Sequence, residues 1–217
     1  MALTRQTEAR CRFVSLAMSS PIDRFIPDAD VRKRHEIVIR APAALVLQTA
    51  RTFDMLSIPS VSAIFWLRAR MLGAKTPVRP WTRGLIEEAL GMGWGLLAEE
   101  NGRFIVVGAV CEPWVADVVF MPIPPAEFAA ALPPDRVKIA WTLEAVALGE
   151  TTTRFATETR AAATDARARA KFRAYWRRFG IGILMIRWLL LPAVRRRAEQ
   201  RWRATGAAAA SGPLSPS

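Results

Sequence analysis

The most constraining feature of this chain is a change of period near residue 165. The Thr-rich run TTTRFATETRAAATD (151–165) reads as a strand, with Arg154, Glu158 and Arg160 sharing one face. Directly after it, Ala168, Phe172, Tyr175, Trp176, Phe179, Ile183, Ile186, Leu190 and Val194 recur every three or four residues. A period of two that turns into one of 3.6 predicts a strand feeding a long helix, whose apolar stripe has to be covered by a sheet. Thr164 and Asp165 are both suitable N-cap residues, and the charge of Asp165 suits a helix N-terminus. Gly180, Gly182 and Pro192 are candidate kinks. Residues 165–203 hold 12 Arg/Lys against Asp165 and Glu199, and so carry +10 of the formal net charge of +12.

The rest of the chain supplies the sheet and its other cover. HEIVIRA (35–41) alternates as a half-buried strand, and Pro42 opens a helix over 42–56 in which Leu45, Thr49, Phe53 and Leu56 share a side. A second helix over 60–73 starts at a Ser60 cap, places Ile64, Leu67 and Met71 on one face and ends at Gly73. AKTPVRPW is a loop, and a short helix follows from Thr82 to Leu90. Runs 94–100 and 103–110 flank Asn101-Gly102, a pair that favours a type I′ hairpin. VADVVF (115–120) reads as a further strand, AEFAAAL (126–132) as a short helix and VKIAWTLEAVAL (137–148) as a long strand with Val137, Ile139, Trp141, Leu143 and Ala145 on one face.

These elements predict one α+β domain over residues 33–203. An N-terminal extension, partly disordered, covers 1–32, and an Ala/Gly/Ser/Pro tail covers 204–217 and is expected to be disordered. No apolar run of signal-peptide length precedes Met18, which is itself an alternative start to Met1. Cys11 and Cys111 make neither a disulfide framework nor a CxxC metal clip, so a reducing, cytoplasmic setting fits. His35 is the single histidine, which excludes multi-His metal sites and leaves any His-dependent nucleophilic machinery resting on one residue. GMGWG lacks the spacing of a nucleotide loop, and no metal or cofactor is expected.

HEIVIRAPAALVLQTARTFDM, GMGWGLLAEENGRFIVVGAVCEPW and VKIAWTLEAVALGETTTRFATETRAAATDARARAKFRAYWRRF resemble successive blocks of the START-like SRPBCC superfamily, which includes the birch-pollen allergen and polyketide cyclase-like proteins. Within it they are similar to bacterial members of unassigned function, over roughly residues 33–200. The resemblance implies a helix-grip fold, a curved antiparallel sheet wrapped around a long C-terminal helix, with an apolar cavity between the two. It brings no catalytic motif.

Expected function follows from that cavity: non-catalytic binding of a hydrophobic small molecule, lipid-like or polyketide-like. Trp114, Trp141, Phe155, Phe172 and Trp176 are the candidates for lining it, or are plain core. Glu158 and Arg160 are either a polar anchor for a ligand or a solvated cross-strand ladder, the latter favoured. A cyclase- or dehydratase-type enzyme using Glu158 or His35 as acid or base is the alternative from another class; at a strand edge beside RKR, His35 reads rather as a surface residue. Cys111 has nothing near it in sequence to lower its pKa and reads as an inert small hydrophobe.

FGIGILMIRWLLLPAV (179–194) is too short for a span, with Arg187 near its middle. A membrane-peripheral role is the third reading, with Trp188, Leu189 and Leu191 dipping into an interface beside Arg195, Arg196 and Arg197. Nucleic acid is the weaker reading of the same charge, because the aromatics fall on the core stripe.

Overall fold

The computed structural model describes residues 20–76, 82–131 and 133–210, with side chains through 206. Its five-stranded sheet is antiparallel throughout and runs in the order β1-β5-β4-β3-β2: β1 (Val31–Ile39), β2 (Gly95–Glu100), β3 (Phe104–Cys111), β4 (Val137–Gly149) and β5 (Thr152–Ala163). Helices α1 (Ala43–Arg51), α2 (Pro59–Leu72) and α3 (Leu85–Gly91) follow β1, and a one-turn α4 (Pro125–Phe128) precedes β4. The long α5 (Ala166–Ala210) closes the chain. The class is α+β, a curved sheet gripping a C-terminal helix.

The junction forms for the reason the change of period gives. Asp165 caps α5 by accepting from the Ala168 N–H at 2.7 Å, and its other oxygen takes the Asp135 N–H at 2.6 Å. Phe155 sits at the centre of the inner face of the sheet, beside Ala145 on β4 and Ile37 on β1. It packs with Ile39, Leu143, Leu190 and Val194 in the main core, where each fully buried large apolar side chain contributes roughly 1.5–3 kcal/mol. Nearer the start of α5, Phe172 and Tyr175 pack on Val137 and Ala161.

Several expectations are corrected. β1 starts at Val31, within the expected extension, because Arg32 and Arg34 find carboxylate partners across the sheet. The described part of that extension is bound to the domain: Ile22, Phe25 and Ile26 are buried with Val106, Phe128 and Ala140 on the outer face of the sheet. Residues 1–19, including Cys11 and Met18, lie outside the described residues. α5 continues to Ala210, so the expected tail begins as helix; 211–217 lie outside the described residues, as do 77–81 of the AKTPVRPW loop.

The helix expected over 42–56 stops at Arg51 and is followed by a separate 3-10 turn, Met55–Ser57, capped by Asp54. Pro59 opens α2 rather than interrupting a helix before it, and Ile58, not Ser60, is the N-cap. VADVVF forms no strand; only a bridge between Val110 and Met121 joins that stretch to the sheet, and Val119 is exposed. The β2-β3 hairpin forms, yet among its turn residues only Gly102 has positive φ (74°), so Asn101-Gly102 belongs to a three-residue loop rather than a type I′ turn.

Candidate functional site

The five aromatic candidates divide between two places. Phe155 is fully buried in the main core and Trp141 packs on it, so both belong to the packed interior beneath α5. Trp114, in the loop after β3, packs with Phe172 and Trp176 near the start of α5, with the Lys171 ammonium 5.3 Å from its ring.

Phe172 and Trp176 line an open pocket of about 280 Å³ together with Asp30, Val31, Arg173 and Arg177. Spacing brings these groups together. Val31 opens β1 on the inner face of the sheet, while Phe172 and Trp176 are one helical turn apart on α5. The two rings lie 5.9 Å apart at 48°. Trp176 lies beside Gly180, one turn further along its own helix, where a Cβ would come within 3.0 Å of the indole. Asp30 is fully used: one oxygen binds Arg169 at 2.8 Å and the other accepts from the Ala163 N–H at 2.9 Å. Arg173 and Arg177 are exposed and make no ion pair with a carboxylate among the described residues. The pocket thus has an apolar wall of two aromatic rings and a valine, and a cationic rim.

Glu158 and Arg160 are neither a solvated ladder nor part of the space under α5. Both are buried on the outer face of the sheet, Glu158 at 0% and Arg160 at 1% exposure. Glu158 binds Arg160 and Arg32, each at 2.8 Å, and Arg34 at 3.4 Å; Arg34 also reaches Glu144 at 2.8 Å. Arg160 further donates to the Ile26 carbonyl at 2.8 Å and to the Asp23 carboxylate. The segment from Ser20 to Asp30 therefore covers the ladder, and the charges tie that segment to the sheet. Burial alone would raise the Glu158 carboxyl, but hydrogen bonding from Arg160 and the charges of Arg160 and Arg32 hold it below the usual carboxylate range. A carboxylate so engaged is a structural ion, not a free acid or base.

His35 lies on the inner face of edge strand β1 and accepts from Trp188 Nε1 at 2.7 Å. Burial, then the charges of Arg187 and Lys33, lower its pKa. Arg187, at 8% exposure, donates to the Lys33 carbonyl at 2.7 Å, and burial pushes it down to about 10, which leaves it cationic at neutral pH. Cys111 is buried and its thiol is pushed up to about 12 by desolvation, which fits an inert role.

Of the membrane-surface candidates, Trp188 (64%), Arg195, Arg196 and Arg197 are exposed, whereas Leu189 is half-buried and Leu191 is buried in the core. Among the described residues, no helix is long and apolar enough to cross a membrane, and no group of three His, Cys, Asp or Glu could hold a metal ion. Sequence reasoning missed Val31, Arg173 and Arg177 as pocket residues. Periodicity marks Arg173 and Arg177 as lying off the core stripe, but it does not show that they flank a gap.

No family model matches the chain, and no curated protein matches it. Among solved structures, it is similar to the crystal structure of the Zhui aromatase/cyclase from Streptomyces sp. R1128, with 15% identity and a TM-score of 0.28, over 81% of this chain and 98% of that one. A likeness of that grade carries no argument about what this chain binds. The site stands on its own geometry.

Proposed function

We propose that this protein binds a hydrophobic small molecule with an anionic group, lipid-like or polyketide-like, between the start of β1 and the first turns of α5, without covalent chemistry. The observation that carries the reading is the pairing of Phe172 and Trp176 with the unpaired charges of Arg173 and Arg177 around one pocket. Its volume, about 280 Å³, is close to the lower end of the roughly 300–1,000 Å³ typical of small-molecule sites. Two aromatic walls supply apolar contact, and the guanidinium groups supply orientation for a carboxylate or similar head. A cyclase-type reading has no comparable support. Glu158 lies on the other face of the sheet within arginine pairs, and His35 is held by Trp188.

Titration with anilinonaphthalene sulfonate, an aromatic anion, tests the reading. Saturable binding that weakens at least about tenfold in Trp176→Ala and in the Arg173→Glu, Arg177→Glu pair is the expected result, since a lost aromatic contact or ion pair in a binding site commonly costs that much. Binding that is unchanged in both variants would overturn it. Native mass spectrometry of the purified protein would identify a co-purifying ligand.

A further inference from the structure

We propose that the middle of α5 docks on an anionic lipid surface. Ile181, Met185 and Trp188 are 72%, 44% and 64% exposed. Their spacing, i, i+4 and i+7, puts them on one stripe of the helix, opposite the stripe that meets the sheet. Single exposed apolar residues are ordinary; a contiguous run of large ones on a helix is not. α2 widens the run. A Cβ on Gly182 would stand 3.2 Å from Ile64, so the two helices are in contact there. Leu67 and Met71, three and seven residues beyond Ile64 on the same side of α2, are 52% and 43% exposed.

The charge around this patch names the occupant. Arg177 and Arg178 precede it and Arg195, Arg196 and Arg197 follow it, all exposed and none in an ion pair with a carboxylate among the described residues. Arg177 and Arg195 fall on the same stripe as the apolar residues, about 27 Å apart at 1.5 Å per residue. Glu199, the one acid between residues 166 and 206, is engaged by the Arg40 N–H at 3.1 Å. An apolar centre between two arginine clusters matches a bilayer interface, where the rings and aliphatic side chains enter below the headgroups and the guanidinium groups meet phosphates. A second copy of the chain would set these arginines against their like. A nucleic acid would satisfy the arginines but leave the apolar centre without a partner. The Trp188 N–H is already satisfied by His35, so its ring can enter the interface without stranding a donor.

The test is co-sedimentation of the full chain with vesicles of equal parts phosphatidylcholine and phosphatidylglycerol, against phosphatidylcholine alone. Binding should favour the anionic vesicles by about tenfold or more, fall with added salt and shift tryptophan emission to the blue. Ile181→Ser with Met185→Ser should weaken it by about tenfold, and Arg195→Glu with Arg196→Glu and Arg197→Glu by more, since each basic residue near the surface contributes a few-fold. Both variants change exposed residues; unchanged circular dichroism and unchanged anilinonaphthalene sulfonate binding separate this surface from the pocket. No binding to anionic vesicles at low salt would overturn the proposal, as would full binding by the Ile181, Met185 variant. Self-association or nucleic-acid binding through this face, with no vesicle binding, would overturn it too.

Discussion

Trp188, exposed on α5, donates its indole N–H to Nε2 of His35 at 2.7 Å and so fastens the middle of the long helix to edge strand β1. Arg187 beside it reaches the Lys33 carbonyl of the same strand. Arg187 thereby satisfies one carbonyl of an edge strand, whose free backbone groups would otherwise be open to another chain. Because Nε2 accepts, the imidazole is neutral and carries its proton on Nδ1, which is buried with no partner among the described residues.

Acid should release this fastening. Protonation removes the acceptor at Nε2, and His35 protonates below its ordinary value of 6.5 because burial and then the charges of Arg187 and Lys33 oppose it. The unfolded chain takes up that proton first, so the His35 contribution is intact above 6.5 and is lost as pH falls. The indole N–H resonance of Trp188, assigned by its loss in Trp188→Phe, should shift with an apparent pKa below 6.5 and lose that titration in His35→Asn. Titration at or above 6.5 would refute the burial argument.

Glu158→Ala should be among the most damaging single changes. It leaves Arg160 buried with half of its charge compensation gone, a situation that costs about 3–5 kcal/mol when one member of a buried pair is removed. Glu158 is held below its ordinary 4.5 in the fold, so its contribution is present above 4.5 and disappears as pH falls through the lower folded value. Urea midpoints measured over a pH series should show a large loss at neutral pH in the variant and a flatter acid limb than wild type.

Gly180→Ala sets two effects against each other. Alanine favours a helix interior over glycine by about 1 kcal/mol, but its Cβ would press on the Trp176 indole at 3.0 Å and displace it. The melting temperature should change by a few degrees at most, while anilinonaphthalene sulfonate binding falls several-fold. Equal binding with Trp176 unmoved would show that the ring is not held by this contact.

Cys111 should resist alkylation in the folded protein. Its thiol, buried and pushed up to about 12, is almost entirely protonated at pH 8, and the thiolate is the reacting species. In a Cys11→Ser background, iodoacetamide labelling should be slower by orders of magnitude than in urea, as read by intact mass; comparable rates would mean that the site opens freely.

The strand-to-helix junction was legible because both periods are local. Phe155 faces inward and Val194 falls on the covered stripe whatever else the chain does. Residue types at fixed spacing also predicted the β2-β3 hairpin, the end of α2 at Gly73 and a cap at Thr164 or Asp165, of which Asp165 serves. Glu158 and Arg160 were misplaced for a definite reason. Alternation showed that they share a face, but their burial comes from Ile22, Phe25 and Ile26 of a segment without period, whose docking is paid for by contacts 130 or so residues away in sequence. Leu67 and Met71 erred in the opposite sense. They share a side with Ile64, yet the side of α2 that meets the core carries Val61, Phe65 and Leu72.

The sequence by itself determined the class, the strand faces, the long helix and its charge, since these depend on neighbours within a few residues. Only the tertiary structure decided which face of the sheet each charge meets, which aromatics are core and which wall a pocket, and that Ile181, Met185 and Trp188, off the core stripe by period, find no second cover among the described residues. Those outcomes depend on what covers each surface, and covering elements come from distant parts of the chain by long-range packing that no local period encodes.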